Sequence, residues 1–259
     1  MKTKIVLLAC LGLFFVTSSF SKNNKPEYYQ LTVYKYKTAD QEKMINAYLK
    51  NALLPALHKM NVRDVGVFKA IANDTASQKM MYVFFPVKSL NAVSEVAQKL
   101  AADRQYQQNG KDYIGAPYDA PVYDRMEVIL MKAFSLAPAM KKPNLKSPKN
   151  ERVYELRSYQ STGEGYFKNK VHMFNEGGEM DIFKKLNFNA VFYGEVIAGS
   201  IMPNLMYMTT FENKADRDAH WDAFGKDPDW KRVSSLPEYQ HNMSHADITF
   251  LRPTDYSDY

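Results

Sequence analysis

The sequence predicts an α+β fold made of two tandem βαββαβ units. Three observations carry this expectation: short segments recur about 125 residues apart, each copy shows the same order of strand and helix patterns, and a Pro-containing basic stretch lies between the copies. Tyr29-Gln30-Leu31 returns as Tyr154-Glu155-Leu156, and Met81-Tyr82 returns as Met206-Tyr207. "LAADRQYQ" from Leu100 stands against "FGKDPDWK" from Phe224, and "RMEVILM" from Arg125 stands against "HADITFL" from His245.

In the first copy, "YYQLTVYKY" alternates and is rich in β-branched and aromatic residues, so it reads as a strand. "DQEKMINAYLKNALLPALHKM" reads as a helix that bends or restarts at Pro55, because proline removes a backbone donor and crowds the preceding turn. "DVGVFKAI" and "KMMYVFFPV" are strands around a polar turn. "SLNAVSEVAQKLAA" is a helix opened by a serine cap, and "VYDRMEVILM" closes the unit as a strand.

The second copy repeats the pattern. "VYELRSYQ" is the first strand, and "KVHMFNEGGEMDIFKKL" (170–186) is one amphipathic helix with Phe167, Val171, Phe174, Gly178 and Ile182 on a stripe. Gly178 is expected to let that helix approach the sheet closely. "NAVFYGEVI" and "LMYMTTFE" are strands, "KADRDAHWDAF" is a helix, Asp227-Pro228 opens a short helix anchored by Trp230, and the last strand begins at Met243.

This order is the ferredoxin-like arrangement, whose two helices cover one face of the sheet and leave the other bare. In the second copy the helix-facing set is read as Tyr154, Leu156, Ile248 and Phe250. The bare face then carries Val153, Glu155, Arg157, Tyr159, His245, Asp247 and Thr249, joined in the first copy by Tyr34, Tyr36, Arg125, Glu127 and Ile129. Such large side chains do not suit a solvated face, so the two sheets are expected to close on each other as an intrachain dimeric α/β barrel.

The N-terminus, MKTKIVLLACLGLFFVTSSFS, has the layout of a secretory signal peptide, with residues 1–21 removed and the mature chain exported to a periplasmic or extracellular site. Its apolar run, Ile5 to Val16, is shorter than the roughly 20 residues a membrane helix needs, so no span is expected after removal. Cys10, the single cysteine, leaves with it, which excludes disulfides, thiolate metal sites and cysteine nucleophiles; the lipoprotein-like Leu7-Leu8-Ala9-Cys10 leaves lipidation of Cys10 open. The expected division is then 22–134, a linker at 135–150, and 151–259. The net charge of +6 falls to +4 without Lys2 and Lys4, and part of it sits in the linker "MKKPNLKSPKN". No ordered basic face emerges, so a nucleic-acid partner is not expected.

"RVYELRSYQ", "NAVFYGEV", "PNLMYMTTFENKADRDAHWDAF", "KDPDWKRV" and "LPEYQ" resemble the NIPSNAP family, within the dimeric α/β barrel superfamily, over roughly Arg152 to Arg252. The first copy resembles it more weakly, keeping "LLPALHKM" and "VGVFKAI" but neither tryptophan. The resemblance implies the fold and supplies no catalytic residues. More distant members of the superfamily include cofactor-free monooxygenases, haem-degrading enzymes and isomerases, which place ligands between sheet and helices.

Candidate ligand-binding residues fall into three groups. His172, Glu176 and Glu179 share a flank of the 170–186 helix. His220 and Trp221, with Arg217 and Phe224, wall the same space from the second helix. Arg157, Tyr193 and His245, with Glu155, Asp247 and Glu195, converge on the bare sheet face, either as a paired network joining the sheets or as an acid–base cluster. No metal site is expected, because His172 and its carboxylates lack a second histidine unless His220 or His245 joins them. The expected function is that of an exported NIPSNAP-like protein of undefined activity, binding a small hydrophobic or aromatic ligand in the second copy. Both tryptophans and four of the five histidines lie there. The alternative is a cofactor-independent monooxygenase or a haem-handling enzyme using His172.

Overall fold

A computed structural model describes residues 25–259, so the expected signal peptide and Cys10 lie outside the described residues. The first half comprises β1 (Tyr28–Tyr36), α1 (Ala39–Tyr48), α2 (Leu54–Lys59), β2 (Gly66–Ala70), β3 (Lys79–Val87), α3 (Leu90–Ala102), α4 (Arg104–Asn109), α5 (Lys111–Ile114) and β4 (Arg125–Ala133). The second comprises β5 (Val153–Gln160), α6 (Glu164–Phe174), α7 (Glu179–Lys185), β6 (Phe192–Ala198), β7 (Asn204–Phe211), α8 (Lys214–Lys226), α9 (Pro228–Ser234) and β8 (His245–Pro253).

Local chemistry explains the element ends. Thr38 and Gln41 form a reciprocal capping box at α1, Ser89 accepts from the Ala92 N–H at α3, and the Asp227 carboxylate accepts from the Asp229 and Trp230 N–H groups at α9. A π-helical turn, Leu49–Leu53, absorbs the donor missing at Pro55 and joins α1 to α2. The 170–186 segment is two helices rather than one. Gly178 adopts φ +87°, outside the helical region, and caps α7 instead of approaching the sheet. It is Gly177 that is crowded, and not by the sheet: a Cβ there would sit 2.8 Å from the Tyr239 hydroxyl and 2.6 Å from the Met173 carbonyl. The last strand begins at His245, two residues later than expected.

Each half orders its strands as a ferredoxin-like sheet, and the eight strands close into one antiparallel barrel, β1-β3-β2-β8-β5-β7-β6-β4. The halves join at two seams. β2 pairs with β8 (Lys69 opposite Arg252), and β4 pairs with β6 (Lys132 opposite Glu195). The barrel therefore forms within one chain.

Register corrects the expected repeat. Leu31 faces Phe84 across β1–β3 and Leu156 faces Met208 across β5–β7, so β3 and β7 correspond at an offset of 124 rather than 125. One residue of slip exchanges the two faces of a strand. Tyr82 consequently belongs inside the barrel with Met206, whereas Tyr207 faces the helices. The face assignment on β5 is likewise reversed: Tyr154 and Leu156 are interior, while Val153 and Tyr159 pack beneath the helices. Tyr34 and Tyr36 also lie on the helix side. β1 and β5 are almost wholly buried on both faces, so alternation carries no phase there. On β4 and β8, Ile129 packs against the interior cluster and Phe250 beneath the helices as expected, whereas Ile248, read as helix-facing, is 44% exposed.

The interior is filled from one end. Tyr29, Phe84 and Phe192 pack ring against ring, as do Phe68, Tyr154 and Tyr259. The segment from β4 to β5 must cross this end, since β4 finishes and β5 starts there. Far from being a loose linker, it is a strap across the barrel. Glu27 donates its N–H to the Pro138 carbonyl (2.8 Å) and accepts the Met140 N–H on its carboxylate (2.9 Å), Lys141 N–H bonds the Val191 carbonyl (2.8 Å), and the Glu212 carboxylate accepts the Lys146 and Ser147 N–H groups. Met140 and Leu145 press on the interior cluster. One mouth is thus sealed by the chain's own connectivity, and the other remains open.

Candidate functional site

On the helix side of the second half, Arg157 and Trp221 of the expected site residues join Glu155 and Arg217 in a packed polar network. Glu155, fully buried at 0% exposure, accepts four hydrogen bonds, from Arg157 Nε (2.7 Å), Arg217 Nε (2.7 Å) and Nη2 (2.9 Å), and Trp221 Nε1 (2.8 Å), and Arg157 Nη2 pairs with it as an ion at 2.6 Å. The Arg157 guanidinium lies 3.6 Å from the centroid of the Trp221 ring and donates from Nη1 to the Tyr159 hydroxyl, itself bonded to the Tyr207 hydroxyl. Burial opposes ionisation of Glu155, but the two guanidinium groups outweigh it and hold its carboxyl below the ordinary range. Arg157 and Glu155 therefore tie β5 to α8; they do not meet His245 and Asp247 on the barrel side as expected.

The other candidates disperse. Glu179 is buried and pairs with buried Lys170 (2.9 Å), whose ammonium sits 4.9 Å from the Phe174 ring centroid; burial lifts the Glu179 carboxyl above its usual value, against the pull of Lys170. His172 is exposed and bonds the Tyr239 hydroxyl through Nδ1 (2.9 Å), while Glu176 is exposed nearby. Tyr193 is buried within the Phe134, Phe174 and Phe183 cluster. His220 bonds the Asp216 carbonyl and packs on Phe188 and Phe211. His245 is exposed beside Asp247 (3.0 Å). Among the described residues no group of three metal-ligating side chains occurs, and no helix is long and apolar enough to cross a membrane.

Two hollows exist apart from this network. A groove of about 620 Å³ lies between the strap, α7 and the chain leading into β6, with Lys141, Lys142 and Lys184 on its walls and Tyr193 as its one expected residue. A cavity of about 360 Å³ occupies the open barrel mouth. Leu31, Val33, Ile129, Leu156, Val196 and Met206, drawn from five strands of both halves, form its apolar wall. Tyr82, Glu127, Ser158, Asn204, Asp247 and Thr249 supply polar groups, and the β6–β7 hairpin at Gly199–Ile201 forms part of the rim. Of the interior residues anticipated from sequence, Glu127, Ile129, Asp247 and Thr249 are here. Tyr82, Ser158 and Asn204 were missed; correct register between β3 and β7 was the signal that could have placed Tyr82.

The NIPSNAP family model matches residues 154–258, so the second half of the chain is similar to that family. Its match begins at Tyr154 in β5 and runs through β8 to the C-terminal turn that packs Tyr259 into the barrel. No curated protein matches the chain in sequence. Among solved structures, a candidate monooxygenase from Lactobacillus acidophilus is similar with 11% identity and a TM-score of 0.57, covering 88% of this chain and 94% of that one. An anthrone oxidase-like protein is similar with 6% identity and a TM-score of 0.52, covering 90% and 93%. A NIPSNAP family protein of unknown function from Agrobacterium tumefaciens, 20% identical with a TM-score of 0.35, covers 42% of this chain and 95% of its own. At such identities the likeness to the first two is one of fold, and it spans both halves of the chain.

Proposed function

We propose that the protein binds a small, largely apolar molecule in the open mouth of its barrel. The observation that carries this reading is a largely apolar hollow of about 360 Å³ lined by side chains from every strand of the barrel except β2. Its volume is that of a site for a ligand of one or two rings. Side chains on paired strands hold a site more rigidly than loop residues do, which favours the mouth over the larger groove beside the strap. Ligand binding itself was expected in the second copy alone, whereas this wall draws on both. No histidine lines either hollow, and His172 is engaged with Tyr239, so the reading is built without haem.

The test uses tetralin, a two-ring hydrocarbon, and thermal unfolding of the mature chain. Ligand at about 100 times its dissociation constant stabilises the native state by roughly 2.7 kcal/mol, which raises Tm measurably. Ile129 lines the cavity and is only partly buried, so Ile129→Trp can fill the mouth from within. The wild type should shift and the variant should not. An equal shift in Ile129→Trp, or none in the wild type at the solubility limit, contradicts the proposal.

A further inference from the structure

Within the mouth, one polar group stands out by the poverty of its bonding. Tyr82 is 5% exposed, yet its hydroxyl donates only to the thioether of Met80, at 3.3 Å. A thioether is a weak acceptor, and a buried hydroxyl without a good partner costs free energy. The neighbouring polar groups are better served. Ser158 donates to Asn204 Oδ1 (3.1 Å), Glu127 accepts from the Ser200 hydroxyl, and Asp247 accepts from Gln160 (2.8 Å) and bonds His245 (3.0 Å). The Thr249 hydroxyl bonds that of Tyr82 from the same wall, so the Tyr82 oxygen is served as an acceptor while its proton has sulfur alone.

We infer that the molecule held in the barrel mouth is an uncharged carbonyl compound with an apolar body, its oxygen accepting the Tyr82 O–H in place of Met80. This rests on the barrel-mouth reading and names the ligand's chemistry. A carbonyl oxygen offers two lone pairs and brings no proton that would itself need an acceptor, which suits a site presenting the Tyr82 and Thr249 hydroxyls together. A carboxylate does not suit it, because Glu127 and Asp247 face the same space and would repel it, with Lys35 the single cation on the wall. Burial and those two carboxylates push the Tyr82 hydroxyl up to about 12, so it stays a neutral donor across the physiological range. A hydrocarbon of the same shape displaces water from the mouth and leaves Tyr82 with sulfur alone, and this difference sets the discrimination.

Isothermal titration of the mature chain with 1-tetralone and with tetralin reads that difference. The wild type should prefer the ketone by roughly fivefold, the worth of one neutral hydrogen bond. Tyr82→Phe should keep its affinity for tetralin and lose the preference, while Met80→Leu, which removes the competing sulfur, should retain or enlarge it. Equal affinities in the wild type, or a preference that survives Tyr82→Phe, overturns the inference and leaves the mouth a simple apolar site. If neither compound binds, the barrel-mouth reading falls as well.

Discussion

Glu155→Ala should lower the stability of the protein by about 3–5 kcal/mol, measured by chemical denaturation. Removing one partner from a buried charge cluster leaves the others without compensation. Here Arg157, Arg217 and the Trp221 N–H would all lose the acceptor that four hydrogen bonds now share. Glu155→Gln, which keeps the shape but not the charge, should fall between. The same residue fixes a pH dependence. Its folded-state pKa is depressed below the unfolded value, so its contribution is complete above the ordinary glutamate value of 4.5 and is lost as pH falls through the folded-state pKa. Stability of the wild type should therefore decline below about pH 4.5 more steeply than that of Glu155→Gln. Parallel acid slopes would show that Glu155 is not ionised in the native network.

Phe84→Ala should cost about 3–5 kcal/mol, and so should Phe192→Ala. Both rings are buried in the barrel plug and stack at 4.6 Å between centroids with 16° between planes, one from each half of the chain. Because they touch, the double variant should deviate from the sum of the singles by about 0.5–1.5 kcal/mol. A single cooperative transition should persist in each single variant. Additive losses with two separate transitions would mean that the halves fold as independent bodies beside one another.

How far these features could be read from sequence depended on what each segment faces. "YYQLTVYKY" is β1 residue for residue, and the restart at Pro55 is present, because alternation and proline act locally. Barrel closure was expected from strand order and from large side chains read onto the bare face, although Tyr34, Tyr36, Val153, Glu155 and Tyr159 among them lie beneath the helices. Phase was lost where a strand is buried on both sides: Arg157 and Glu155 were recognised as a charged pair, but on the wrong side of β5. Gly178 was read as a packing position, whereas its φ is a backbone property that sequence spacing does not encode. The cavity was the least legible feature. Its wall is made of ordinary aliphatic residues such as Leu31, Ile129 and Met206, brought together only by the closure of eight strands and left open only because the strap covers the opposite end.

A structure of the protein with tetralin bound should show density for the ligand inside the open mouth, against Met80, Ile129 and Ile201, with the aromatic plug and the strap unmoved. Density in the groove beside Lys141 and Lys184, or between β5 and α8 where Arg157 now lies on Trp221, would contradict the barrel-mouth reading.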